Sequence, residues 1–151
     1  MKIALVIERM DPSRGGCETA TAQIAKGLTR AGHDVSIICQ EAKWEHEGVE
    51  ILQLGRSGWP RYRKLKKFVG QVQTIIAKGD YDIVHSALPV PGANVYQAHG
   101  GTVPALVNGR LRGRGRLEKI IASLGEPFKA TRRTMRSLEK LVALDPKVLC
   151  L

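Results

Sequence analysis

Residues 2–39 read KIALVIERMDPSRGGCETATAQIAKGLTRAGHDVSIIC, and their order decides the fold. Lys2 to Ile7 is a short apolar run rich in β-formers, the pattern of a strand buried on both faces. A polar loop from Glu8 to Gly16 follows. A helix is expected from about Cys17 to Ala31, with Ala20, Ile24, Ala25 and Leu28 on one face and Gly32 as its stop signal. Val35 to Cys39 is a second buried strand. Strand, loop, helix, glycine and strand in this order make a βαβ unit, so the two strands run parallel through a right-handed crossover.

The rest of the chain repeats the alternation. Val49 to Leu54 reads as a third strand, and residues 55–60, Gly-Arg-Ser-Gly-Trp-Pro, as a breaker cluster. Leu65, Phe68, Val69, Val72, Ile75 and Ile76 then fall at offsets 0, 3, 4, 7, 10 and 11, an amphipathic helix over Arg61 to Lys78 that Gly79 ends. Tyr81 to His85 starts a fourth strand, and Val95 to Ala98 a fifth that runs into His99-Gly100-Gly101. Residues 109–116 form a basic loop, a helix spans about Thr131 to Ala143, and a last strand covers Lys147 to Leu151. Alternating strands and helices argue an α/β, doubly wound parallel sheet of the Rossmann type.

Composition narrows the class. The chain has 151 residues, 43% of them hydrophobic, enough for one domain with a sizeable core. No apolar run approaches the roughly 18 residues of a membrane span, and charged residues from Glu8 onward interrupt any signal-peptide pattern. Cys17, Cys39 and Cys150 lie far apart, which argues against a disulfide framework or zinc site and makes a reducing cytoplasm the expected compartment. Net charge is +10 and unevenly placed. Residues 1–55 carry six basic and eight acidic residues, whereas residues 56–151 carry 18 and six. The second part therefore suits an anionic partner.

The residues able to carry chemistry gather after the strands. Gly15 and Gly16 stand where the first helix presents its positive end to the carboxyl edge of the sheet, and they let a phosphate or sugar approach the main chain. A plain flexible turn explains them equally well. The loop is neither G-x-G-x-x-G nor a P-loop, so nicotinamide dehydrogenases and P-loop NTPases lose support. Glu18 lies in the helix's first turn, where capping alone accounts for a carboxylate. His85 and His99 end expected strands, and Gly100 and Gly101 hold open backbone beside His99. His33 and His46 read as structural. No base stands near the cysteines, so nucleophilic catalysis loses support.

The cations form three groups: Arg61, Arg63, Lys64, Lys66 and Lys67; Arg110, Arg112, Arg114 and Arg116; and Lys129, Arg132, Arg133 and Arg136. Each alone could be a solvated face. Together they favour an anion-binding surface, and a membrane rich in anionic lipid or a phosphorylated acceptor fits better than nucleic acid. Only Tyr62, Phe68 and Phe128 are near for stacking, and no nucleic-acid motif matches.

Taken together, Met1 to Val6, Gly15-Gly16-Cys17-Glu18, Ala25-Lys26-Gly27-Leu28 and Gly32-His33-Asp34-Val35 resemble the N-terminal domain of family 4 glycosyltransferases, which have the GT-B fold. Tyr81-Asp82-Ile83-Val84-His85 and Gln97-Ala98-His99-Gly100-Gly101 fall where that family has a D-[IV]-[IV]-H strand and a second active-site histidine loop. Arg132 to Lys140 resembles the basic helix of the lipopolysaccharide-core glucosyltransferase subgroup. The resemblance implies two Rossmann-like domains facing across a cleft, with the acceptor on the N-terminal one and the nucleotide-sugar donor on the other. It implies retaining transfer without a metal. It places the amides of Gly15 and Gly16 toward the donor diphosphate, with His99 against the transferred sugar.

The resulting expectation is an N-terminal, acceptor-side domain over residues 1–151, lacking a donor domain and inactive alone. Its last strand is still running, apolar, at Leu151. It would act on a carbohydrate or glycolipid acceptor of the cell envelope, peripherally at the inner face of the cytoplasmic membrane. A free-standing nucleotide- or sugar-binding module is the first rival. A basic nucleic-acid-binding protein, supported by charge alone, is the second.

Overall fold

The structure, a computed structural model, describes residues 1–56, 58–98 and 126–151, and of residues 126–129 the backbone alone. Its elements are β1 (Lys2–Val6), β2 (Arg9–Met10), α1 (Gly16–Arg30), β3 (Asp34–Cys39), β4 (Glu41–Ala42), β5 (Val49–Gln53), α2 (Arg61–Lys78), β6 (Ile83–Ser86), β7 (Val95–Tyr96), α3 (Glu126–Ala143) and β8 (Leu149–Cys150). One six-stranded sheet runs β5-β3-β1-β6-β7-β8, and every neighbouring pair is parallel. Counted along the sheet's own strands this is the order 3-2-1-4-5-6, the doubly wound arrangement that the sequence implies.

β1 is apolar after Lys2 because both its faces are covered. Ile3, Leu5 and Ile7 pack with Val35, Ile37, Ala22 and Ala25 on the α1 side. Ala4 and Val6 pack with Ile38, Val84, Leu65, Phe68, Val69 and Val72 on the α2 side, where Met135 and Leu138 of α3 add cover. Period-two alternation thus feeds two separate cores from one strand.

Some boundaries differ from the sequence reading, each for a local reason. The Glu8–Gly16 stretch is only partly loop: β2 pairs in parallel with β4, Arg9 opposite Glu41 and Met10 opposite Ala42. Together they carry the β1–β3 pair past the sheet's carboxyl edge. The inward face of α1 is turned from the expected one, burying Thr21 and Ala22 with Ala25 and leaving Ala20 half-exposed. Thr21 can face inward because its hydroxyl donates to the Cys17 carbonyl at 2.9 Å. β6 begins at Ile83, since Asp80 takes a left-handed φ of 46° and Asp82 ties back to Lys2 instead. α3 begins at Glu126 rather than Thr131, with Pro127 tolerated in a first turn that needs no amide donor.

Gly79 has a role beyond a stop signal. Its φ of −92° suits any residue, but a Cβ there would stand 2.8 Å from the Ile75 carbonyl oxygen and against the Tyr81 ring. Gly70, on the exposed face of α2, meets nothing within 4 Å. Gly79→Ala should therefore destabilise by about 1–3 kcal/mol through overpacking. Gly70→Ala should stabilise by about 0.5–1 kcal/mol through helix propensity. Urea unfolding of the two variants checks both signs.

Two buried groups make stability sensitive to alkali. Burial, then the neighbouring Glu139 charge, push the Tyr96 phenol well above its ordinary value, and its hydroxyl donates to Glu139 Oε1 at 3.3 Å. Burial pushes the Cys39 thiol up to about 11. Both groups hold their proton more tightly folded than unfolded. Their stabilisation is complete below the unfolded values and is lost as pH rises through the folded ones. The urea midpoint should hold to about pH 9 and fall above it, and Tyr96→Phe should flatten the fall.

Candidate functional site at the switch point of the sheet

In a sheet of this order the chain leaves β1 in one direction and β6 in the other, which opens a crevice between their carboxyl ends. A cavity of about 340 Å³ occupies it, lined by Ile7, Glu8, Arg9, Arg14, Cys17, Glu18, Arg61, Ala87 and Leu88. Ile7 to Arg9 follow β1, Ala87 and Leu88 follow β6, and Cys17 and Glu18 belong to the first turn of α1. A volume of that size lies at the lower end of small-ligand sites, roughly 300–1,000 Å³.

On the α1 side the cavity is lined by Cys17 and Glu18, next to the two glycines that start the helix. Gly15 stands at the N-cap with extended backbone, and no side chain caps the turn. The first amides of a helix lack internal acceptors and carry its positive end, so they are open to an oxygen-rich ligand. A Cβ on Gly16 would meet nothing within 4 Å, and one on Gly15 only Glu18 Oε2 at 3.5 Å. Neither dihedrals nor packing within the chain demands glycine at either position. The space in front of them is free for something else.

Charge in the cavity is mixed. Three guanidinium groups, Arg9, Arg14 and Arg61, face the carboxylates of Glu8 and Glu18. Arg61 Nη2 lies 4.0 Å from Glu8 Oε2, with the arginine side chain 73% exposed, so the pair is loose. Carboxylates and guanidinium groups together suit sugar hydroxyls, which both donate and accept. Burial, then the Glu18 charge, raise the Cys17 thiol above its ordinary value, which keeps it protonated and a poor nucleophile.

Of the residues singled out from sequence, Glu18 lines this cavity, and Gly15 and Gly16 precede it at the start of α1 without lining it themselves. His85 does not line this cavity. It sits within β6, opposite Leu5 of β1, its Nε2 3.0 Å from Gln97 Oε1 and its side chain beside Thr21 and Ile24 of α1. His99, Gly100, Gly101 and the cations Arg110, Arg112, Arg114 and Arg116 lie outside the described residues. Arg61 lines the cavity as well as heading the basic helix, whereas Arg63, Lys66 and Lys67 are exposed and Lys64 is half-buried. Sequence reading passed over Glu8, Arg9, Arg14, Ala87 and Leu88. The available signal was position alone, since all but Arg14 follow directly the two strands that flank a switch point. Among the described residues no three His, Cys, Asp or Glu side chains gather to hold a metal ion.

The comparisons with known proteins agree with this architecture. Residues 14–141 match the family Glycosyltransferase Family 4, and the chain belongs to that family. Among solved structures it is similar to WaaG, a glycosyltransferase involved in lipopolysaccharide biosynthesis, with a TM-score of 0.72 and 18% identity, over 93% of this chain and 35% of that one. It is also similar to a sucrose-phosphate synthase from Thermosynechococcus elongatus, with a TM-score of 0.55 and 20% identity, over 80% of this chain and 39% of that one. The chain thus spans little more than a third of the length of either. No curated protein sequence matches it.

Gly16→Val tests the glycine wall. The fold has room for the added carbons, so the melting temperature should stay close to the parent's, while binding of a ligand seated on the α1 amides should weaken by about tenfold or more. Paired melting curves and ligand titrations decide it, and unaltered affinity would remove Gly16 from the site.

Proposed function

We propose that this chain is the acceptor-side domain of a retaining glycosyltransferase that moves a sugar from a nucleotide-sugar donor to a cell-envelope acceptor. The observation that carries the reading is the cavity at the switch point, lined on one side by Cys17 and Glu18 of an uncapped helix terminus, beside two glycines that the fold itself does not require. Membership of the family supplies the reaction class. The similarity to WaaG favours an acceptor of the lipopolysaccharide type. In this reading the amides of Gly15 and Gly16 face the donor diphosphate, Glu8 and Glu18 accept hydrogen bonds from acceptor hydroxyls, and His99 contacts the transferred sugar. His85, held by Gln97, stiffens the strand behind them. No metal or other cofactor takes part. Titrating nucleotide sugars and core-type oligosaccharides into the chain, followed by amide NMR, tests it. Shifts should centre on Gly15 to Glu18 and on Ala87 and Leu88, and shifts confined to other surfaces would sink the assignment.

We also propose that the domain works against an anionic membrane. No helix among the described residues is long and apolar enough to cross one, so attachment would be peripheral. Trp59 is 89% exposed and stands two residues before α2, where Arg61, Arg63, Lys66 and Lys67 are also exposed. An exposed indole beside clustered cations suits the headgroup region, where each nearby cation adds about 1 kcal/mol. Vesicles containing anionic lipid should sediment the chain at low salt and release it as salt rises. Trp59→Ala and Arg63→Gln should each shift release to lower salt, and neutral vesicles should not bind it.

A further inference from the structure

Beyond the switch-point cavity, the β2–β4 extension holds a second cavity of about 150 Å³, lined by Arg9, Asp11, Arg14, Glu41, Lys43 and Arg56. Every lining residue is charged. Four cations face two carboxylates, giving the wall a formal net charge of +2. Both carboxylates are already engaged. Asp11 Oδ2 lies 3.7 Å from Lys43 Nζ, and its other oxygen accepts from the Ser13 hydroxyl and amide. The Ser13 hydroxyl, above all, holds the Asp11 carboxyl below its ordinary value, so it stays ionised at neutral pH. Glu41 Oε2 lies 3.3 Å from Arg56 Nη1.

These pairings leave two guanidinium groups over. Arg9 and Arg14 have no ion pair within 4.0 Å among the described residues, Arg14 acting on Asp11 only at longer range, and both also line the larger cavity. They form the wall common to the two. The backbone beneath is firm: Arg9 is held opposite Glu41 in the β2–β4 ladder, the Lys43 amide donates to the Met10 carbonyl at 2.9 Å, and Met10 is wholly buried. Guanidinium groups left unpaired on a fixed frame are preorganised for an incoming anion.

We infer that the smaller cavity is a subsite for a phosphate monoester carried by the acceptor sugar, gripped by Arg9 and Arg14 while the sugar itself occupies the larger cavity. The inference rests on the glycosyltransferase reading of that larger cavity. A phosphate monoester carries a charge of about −1.5 to −2 at neutral pH, which matches the +2 of the wall, and its oxygens suit the guanidinium fork. A single carboxylate would satisfy only half that charge. The volume lies below the roughly 300 Å³ where small-ligand sites begin, so it has room for a substituent and not for a nucleotide.

The test titrates a hexose 6-phosphate and the matching neutral hexose into the chain, with inorganic phosphate as competitor and anionic-lipid vesicles as a separate arm. The phosphorylated sugar should bind at least about tenfold more tightly than the neutral one. That advantage should shrink below about pH 6, where the phosphate takes up its second proton. Arg9→Gln and Arg14→Gln should each remove most of it. Arg30→Gln, at the far end of α1, should leave it intact. Arg9→Lys or Arg14→Lys, which keeps the charge and loses the guanidinium fork, replaces a variant that fails to match the parent's melting temperature. Equal affinity for the two sugars, or an advantage that survives the substitutions, overturns the subsite. Inorganic phosphate binding as tightly as the sugar phosphate overturns its assignment to the acceptor, and so does displacement of the sugar phosphate by vesicles. If the neutral hexose still perturbs Ala87 and Leu88 while the advantage is absent, the subsite alone has failed. If neither sugar perturbs them, the underlying reading of the larger cavity has failed.

Discussion

Everything in this domain depends on β1 being wetted on neither face. A strand that pairs with β3 on one side and β6 on the other, and that packs against helices above and below, has no solvent-facing position to spend on a polar residue. From Ile3 it therefore reads as an unbroken apolar run, flanked by Lys2 where the strand starts and by Glu8 just past its end. The same constraint creates the crevice. Successive connections must leave the central strand in opposite directions to cover both faces, and the gap between them is where polar groups first become affordable. Site and core are thus two consequences of one burial requirement.

Legibility followed burial. α2 could be read to its ends from Leu65, Phe68, Val69, Val72, Ile75 and Ile76, because a helix with one face in the core writes its period into the sequence. β1 and β3 were equally plain. The β2–β4 extension was not, since a two-residue pairing leaves no periodicity and Arg9-Met10 looks like any loop dipeptide. The inward turn of α1 toward Thr21 was also hidden, because a threonine that satisfies its own hydroxyl packs like an apolar residue while reading as a polar one.

Part of the site was legible for a related reason. Glycines beside a helix start announce themselves, and Glu18, in the turn that Gly15 and Gly16 introduce, does line the cavity. Arg9, Arg14 and Glu8 carry no motif. Glu8 and Arg9 matter for lying past the end of a strand, and Arg9 and Arg14 for having no ion pair within 4.0 Å once Asp11 and Glu41 have taken Lys43 and Arg56. Pairing of that kind is a property of three-dimensional neighbours that no spacing rule encodes. Arg61 shows the converse: it belongs by sequence to a basic run and by position to the cavity as well.

α2 begins in an unusual electrostatic state. Its N-cap, Pro60, offers no side-chain acceptor, its first turn contains no acidic residue, and Arg61, Arg63 and Lys64 stand there instead. Cations beside the positive end of a helix oppose its dipole by about 0.3–1 kcal/mol each at low ionic strength. Burial, then the Arg56 charge, already draw the Lys64 ammonium below its ordinary value. The helix is held from its middle, by Leu65, Phe68, Val69 and Val72, against a first turn that is locally frustrated. Amide protons there should exchange with solvent sooner than those of the following turns, so the opening of one helical turn reports directly on whether a counter-charge has arrived.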